Sequence, residues 1–500
     1  MLPTRSAIDS RTVVKTASIV GAGIGGIATA IRLQAKGYQV SVFESSNELG
    51  GKLRDFMLDG FRFDAGPSLF TLPDLVDELF RIAQKNPKDY FHYEQLDRSC
   101  HYFWDDGTAL VAWSDRKAFK AEVKEQLGAD ELALEKKLQH SAFQYDTLAE
   151  LFMHKSLHKW RSFANWATLR ALFRIPFLGL STSMHKANKK LNNDKLTQLF
   201  NRYATYNGSN PYDAPAVLNM IPHLEHGIGT FFPKNGMVDI RNALIRLAEE
   251  LGVNFHLNSK VDRIVHENGS ATGIDIQGQF YPSILVVSNA DIHPTYHHLL
   301  KDLKLPVKQL AQERSSSALI FYWGIDVSFE QLHLHNIMFS NSYKEEFDAL
   351  FKHKTLIDDP TVYINITSKC KQDDAPSGAE NWFVMINAPS REGGLSAEEI
   401  NLAKANIIKK IEGVLKTDLA SKIVCEEILT PSLIQSKTSS YLGALYGTSS
   451  NDPMSAFLRH PNFSKNLKNL YFTGGSVHPG GGIPLCLLSA KIIDEMLDHA

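Results

Sequence analysis

Glycine spacing near the N-terminus restricts what this chain can fold into more than any other feature. Gly21, Gly23 and Gly26 form a G-x-G-x-x-G run, with Gly25 in the same loop. Residues 17–21 (Ala-Ser-Ile-Val-Gly) read as a short buried strand ahead of it. Ile24–Lys36 has helical spacing, with Ile27, Ala30, Ile31 and Leu33 to one side. Gly37 suits a left-handed helix end, and Tyr38–Glu44 alternates as a second strand. Alone, such a glycine run is a weak signal. Inside a strand–helix–strand unit each glycine gains a duty: Gly21 permits the tight turn, Gly23 lets a pyrophosphate approach the backbone, and Gly26 lets helix and strand pack closely. The helix N-terminus then offers unpaired N–H groups to phosphates. Glu44, 21 residues after Gly23, closes the second strand, where a carboxylate can accept both ribose hydroxyls. An acid there, rather than an arginine, disfavours NADP. The unit predicts a dinucleotide site.

Gly50-Gly51-Lys52 follows Glu44 after five residues, then Arg54, and later Asp64-Ala65-Gly66-Pro67-Ser68. A nicotinamide-binding unit has no use for a second double glycine there. The pattern resembles the E-x5-G-G-[KR] of flavoproteins in the amine oxidase and carotenoid desaturase superfamily. That resemblance makes FAD the expected cofactor. Near the other end, Leu470–Thr473 reads as a strand, followed by Gly474-Gly475-Ser476-Val477-His478-Pro479-Gly480-Gly481-Gly482-Ile483-Pro484. A mostly buried helix from about Pro484 to Leu497 would follow, with Pro484 at its first turn. Its N-terminus could stabilise negative charge on a reduced flavin.

This C-terminal segment resembles the signature of bacterial phytoene-desaturase-type carotenoid desaturases, with Val477 and Gly481 as small departures. Phe231–Met237 and Val286–Asp291 resemble central segments of the same family. Cys100–Thr108 looks closer to 1-hydroxycarotenoid 3,4-desaturases than to phytoene desaturases, although an Asp106-Gly107 hairpin turn alone explains half of it. The resemblance implies an α/β chain, α+β overall. A Rossmann-type FAD-binding domain would be assembled from 1–105, 225–295 and 460–500. A mixed-sheet substrate domain would span 106–145 and 296–459, and a helical subdomain 146–224. Val253–Val265 is expected to be a strand pair lying over the adenine. Cofactor contacts are expected from Gly21, Gly23, Gly25, Gly26, Glu44, Gly50, Gly51, Lys52, Arg54, Gly66, Pro67, Ser68, Val261, Asn289, Gly474, Gly475, Gly482, Ile483 and Pro484.

The implied reaction adds a C=C bond to an acyclic carotenoid, hydroxylated or not, by hydride transfer to flavin N5 with proton loss. His478, the one ionisable side chain of the glycine turn, is either a proton handler beside the flavin or a tie to the loop backbone. His101, Arg202, Tyr206 and Glu225 are further polar groups that could face a substrate tunnel. Oxygen or a quinone would reoxidise the flavin. Other superfamily oxidases, a saturase, and a non-catalytic isoprenoid escort are the alternatives; intact glycine sets at both ends weigh against the escort.

Residues 151–190 hold eight Lys or Arg and no Asp or Glu, which leaves the remaining 460 residues at −10 in a chain of −2. That near-neutral total argues against a nucleic-acid partner bound through overall charge. Trp160, Trp166, Arg170, Phe173, Arg174 and Phe177 suggest a basic amphipathic element resting on anionic lipid. No run of about 18 apolar residues occurs. The first sixteen residues lack an apolar stretch, so no signal peptide is expected. Cys100, Cys370, Cys425 and Cys486 lie far apart, with neither zinc spacing nor a disulfide framework. No metal site is expected, and the expected place is the cytoplasmic face of the cell membrane.

Overall fold

A computed structural model describes residues 14–149, 153–158, 179–452, 455 and 458–498. The chain builds one parallel sheet at its base and one large mixed sheet above it. In the parallel sheet the spatial order is Leu470–Phe472, Leu285–Ser288, Thr16–Val20, Gln39–Phe43 and Asn254–His256. All four pairings are parallel. The glycine-loop helix Ile24–Ala35 makes the crossover between the first two strands. Later strands add to the other side of Thr16–Val20, so the connection order reverses there. Such a switch point opens a crevice outside the carboxyl ends of the strands.

Ile27 and Ile31 of the first helix share a core with Leu487, Leu488 and Ile493 of the last helix, Ile483–Asp498. Each such buried side chain contributes roughly 1.5–3 kcal/mol relative to exposure. The two chain ends are thereby locked together over the sheet. The last helix begins one residue before the expected Pro484, which keeps Pro484 in the first turn, where a missing N–H costs nothing.

The mixed sheet runs Ile423–Leu429, Ser317–Ile325, Glu380–Ala388, Val362–Ile366, His335–Met338, Arg98–Phe103, Ala109–Trp113. Only His335–Met338 with Arg98–Phe103 is parallel. One face packs on helix Ala397–Leu415 through Trp323, Ile364, Trp382 and Ile407. The other face turns toward the parallel-sheet module.

Three expectations are corrected here. A boundary at 105 would cut a hairpin whose strands, Arg98–Phe103 and Ala109–Trp113, both belong to the mixed sheet. The helical layer starts at Arg116–Leu127 and Glu131–Leu148, well before 146, since Phe119, Val123, Leu134 and Leu138 pack with Leu196, Leu199 and Phe200. Val253–Val265 is no strand pair. Asn254–His256 edges the parallel sheet, while Arg263–Glu267 pairs with Ser270–Ile276 in a separate three-stranded sheet. Trp160, Trp166, Arg170, Phe173, Arg174 and Phe177 lie outside the described residues. Among the described residues, no helix is long and apolar enough to cross a membrane, and no group of His, Cys, Asp and Glu could hold a metal ion.

Candidate active site

The carboxyl ends of four parallel strands converge, and each delivers an expected cofactor residue. Thr16–Val20 ends at Gly21, Gln39–Phe43 at Glu44, Leu285–Ser288 at Asn289, and Leu470–Phe472 runs through Thr473 into Gly474. Gly21 holds φ +94° and donates its N–H to the Phe43 carbonyl at 2.8 Å. A Cβ on Gly26 would lie 2.2 Å from the Gly21 carbonyl oxygen, so helix and strand can approach only with glycine there. The Asn289 carboxamide lies in a hollow formed by Gly23, Gly25 and Gly474. Cβ atoms at those positions would sit 2.7, 2.8 and 2.9 Å from its Nδ2, Oδ1 and Oδ1.

Glu44 is buried beneath this loop, its Oε2 accepting from the Ala22 N–H at 2.8 Å and its Oε1 from Ser46 N–H at 2.9 Å. The double glycine packs against the first loop: Gly50 donates to the Ala22 carbonyl at 2.9 Å, and a Cβ on Gly51 would come within 3.2 Å of Gly23 Cα. Gly66 presses on Lys52, where a Cβ would lie 1.8 Å from the Lys52 carbonyl oxygen. Pro67 and Ser68 continue that loop, and Ser68 Oγ meets the Tyr363 hydroxyl at 2.8 Å. Arg54 lies 3.9 Å from Glu48. Val261 packs below with Val20 and Phe43. Gly475 abuts Gly481, while Gly482 has φ +103° and open space beside it, leading into Ile483 and Pro484.

Several of these residues fit a bound dinucleotide. Helix Ile24–Ala35 has neither a side-chain cap nor an acid in its first turn, so its positive end is unneutralised. Asn289 Oδ1 and Thr473 Oγ1 are buried without a hydrogen-bond partner among the described residues, an arrangement that costs about 1–3 kcal/mol per group unless a ligand satisfies it. Lys52, Tyr363, Tyr446 and Cys486 lie deep inside the protein yet keep accessible side-chain surface. Tyr363 of the mixed sheet meets Ser68 of the Gly66-Pro67-Ser68 loop, so the two modules touch here. Burial lowers the Lys52 ammonium, although the Asp291 carboxylate opposes the shift; Lys52 Nζ donates to the Leu445 carbonyl at 3.0 Å. Burial pushes the Cys486 thiol up to about 11, so it stays neutral.

His478 is buried, with Nε2 2.9 Å from the Lys155 carbonyl oxygen, which can only accept. Nε2 therefore carries the proton, and burial pulls the imidazole down to about 4. This contact ties the glycine turn to the chain near 155. Arg202, Tyr206 and Glu225 come together: Arg202 pairs with Glu225 at 2.9 Å in the interior, and Tyr102, Tyr203 and Tyr206 surround the pair. His101 does not join them. Strand alternation turns it to the opposite face, against Phe103 and His333.

Two residues escaped the sequence reading. Arg459 is buried against Gly480, donates to the Tyr446 carbonyl at 2.8 Å, and has no carboxylate partner among the described residues. Burial, with Arg314 nearby, pulls its guanidinium down to about 10. Arg241 fills the space beside Gly50, where a Cβ would lie 2.2 Å from Arg241 Cδ. Neither belongs to a motif, so no sequence signal marks them.

Residues 24–332 match the model of the flavin containing amine oxidoreductase family. The chain belongs to that family. Over 486 residues, 97% of this chain and 99% of the relative, it is 51% identical to a 1-hydroxycarotenoid 3,4-desaturase of Flavobacterium sp. (strain P99-3). Over 96% of this chain and 97% of the relative, it is 33% identical to a 4,4'-diapolycopene oxygenase of Methylomonas sp. The fold matches a putrescine oxidase structure bound to putrescine at TM-score 0.62 and 14% identity, covering 98% of this chain and 100% of that one. The family assigns the chain as an oxidoreductase and its cofactor as a flavin, and the glycine cradle, Glu44 and the unneutralised helix end suit FAD.

Proposed function

We propose that this chain is an FAD-dependent desaturase that introduces a C=C bond into an acyclic carotenoid, by 3,4-desaturation of a 1-hydroxycarotenoid. The observation that carries the reading is the 51% identity, over 97% of the chain, to a relative of that name. The oxygenase relatives match at about a third identity, which favours dehydrogenation over oxygen insertion.

Forming the double bond removes a hydride from one carbon and a proton from its neighbour. Bound FAD would supply the hydride acceptor at N5. The glycine loops and Glu44 hold the dinucleotide. The inner face of the mixed sheet, with Tyr322, Tyr363, Phe383 and Met385, would cover the substrate and keep water out. The substrate cation that develops is spread along the polyene, so few charged side chains are needed near the bond.

A carotenoid partitions into lipid, so its enzyme must collect it at a bilayer. The acid-free basic stretch 151–190 suits an anionic surface, which supports a peripheral position on the cytoplasmic face of the membrane. Oxygen or a membrane quinone would take the electrons. Replacing Arg170 and Arg174 with Glu should weaken sedimentation with anionic liposomes; unchanged sedimentation would discredit that contact.

The test of the chemistry is incubation of FAD-loaded protein with liposomes carrying a hydroxylated acyclic carotenoid and phytoene, followed by chromatography and mass spectrometry. The expected product absorbs further to the red and weighs two mass units less than the hydroxylated substrate. A product from phytoene alone would redirect the substrate assignment, and a gain of oxygen would replace desaturase with oxygenase.

A further inference from the structure

On the inner face of the mixed sheet, the register sets Cys100 beside His335, Tyr102 beside Ile337, and Asn365 opposite His335. Alternation puts all of these side chains on one side. His335 is buried, and its Nδ1 meets the Tyr363 hydroxyl at 2.8 Å and the Asn365 amide nitrogen at 3.2 Å. The amide can only donate, so Nδ1 accepts and the ring proton sits on Nε2. That Nε2–H has no hydrogen-bond partner among the described residues, and neither does the Nε–H of buried Arg202, which lies within electrostatic reach of His335. Arg202 itself is held by Glu225 and Tyr102. Two buried N–H donors without acceptors thus lie within electrostatic reach of one another, an arrangement that is costly unless something accepts from them. A third link connects this group to the cofactor side, because Tyr363 also bonds Ser68 of the Gly66-Pro67-Ser68 loop.

We infer that His335, with Arg202 beside it, is the recognition site for the hydroxyl at C1 of the carotenoid. The inference rests on the 1-hydroxycarotenoid reading proposed above. A hydroxyl oxygen has two lone pairs, enough to accept from both N–H groups, and a proton to give to a neighbouring phenol or carboxylate. Three bonds separate that oxygen from C3, one carbon of the bond to be oxidised. A hydroxyl site for this reaction must therefore adjoin the flavin, not the far end of a tunnel. The Ser68–Tyr363–His335 chain satisfies that requirement. A site built to hydrogen-bond a hydroxyl rejects the analogue without it, because its donors are then buried unpaired.

The test compares kcat/KM of the FAD-loaded protein on a 1-hydroxycarotenoid and on the same polyene lacking the hydroxyl. For His335→Leu, the preference for the hydroxylated substrate should fall at least about tenfold, carried mainly by the hydroxylated substrate. His335→Gln, whose amide can still donate, should restore part of that preference. Retained flavin absorbance and a normal melting midpoint verify that each variant is folded. An unchanged preference in folded His335→Leu would overturn the inference, leaving a structural water as the partner of these donors. A wild-type protein that oxidises carotenoids without preferring the hydroxylated one would instead overturn the substrate reading beneath it.

Discussion

Gly26 faces the Gly21 carbonyl so closely that a methyl group would lie 2.2 Å from a backbone oxygen, which cannot swing aside. Gly26→Ala should therefore displace the helix from the strand, and the purified protein should lose most of its flavin, read as the ratio of flavin to protein absorbance. His478 poses the opposite case. The motif marked it as a candidate proton handler, but its Nε2–H is engaged by the Lys155 carbonyl, and the ring is held near a pKa of about 4. Between about pH 5 and 8 it stays neutral, so His478→Ala should lower stability or flavin retention without removing a transition from the kcat–pH profile. Loss of such a transition would restore the proton-handling role. Residue identities in the glycine loops were legible because backbone geometry demands glycine there. Arg459 and Arg241 were illegible, since their importance comes from what tertiary packing puts beside Gly480 and Gly50.

Among the elements, the strand–helix–strand unit at the N-terminus was readable to within a residue at most boundaries because all of its signals are local. The mixed sheet was not. Arg98–Phe103 pairs with His335–Met338 across more than two hundred residues, and nothing in a short window encodes that partnership. The sequence reading therefore put the domain boundary inside a hairpin. The element carrying Glu225 shows a similar limit: Leu224–Ile228 is a single wide turn, yet it delivers a carboxylate to Arg202 in the interior. Breaking that pair leaves one charge buried alone, at a cost of about 3–5 kcal/mol. Arg202→Met should lower the melting midpoint of the flavin-loaded protein markedly. The double replacement Arg202→Met with Glu225→Leu should recover much of the loss. A single variant as stable as the wild type would contradict the buried pairing.

At the scale of the whole molecule, buried histidines set the response to acid. Burial pulls His226, His335, His460 and His478 from 6.5 to about 4. In the unfolded chain each binds a proton below about pH 6.5, whereas in the folded chain each resists until about pH 4. Their contribution to stability is complete above about 6.5 and is lost as the pH falls toward 4. Melting midpoints should therefore drop steeply over that window; a flat profile would contradict the buried neutral imidazoles. The layout also explains why the site lies where it does. A parallel sheet brings four strand ends to one crevice, and Ser68 beside it meets Tyr363 of the mixed sheet, so the reading proposed above puts cofactor and substrate at that junction. On the reading proposed above, a flavin held there oxidises the carotenoid directly. The most direct test of that reading is a single turnover without oxygen, in which FAD-loaded protein is mixed with a 1-hydroxycarotenoid and watched by absorbance. Flavin absorbance should bleach in step with a red shift of the carotenoid, one flavin for each new double bond. Carotenoid conversion with the flavin still oxidised, or no change in either spectrum, would contradict that reading.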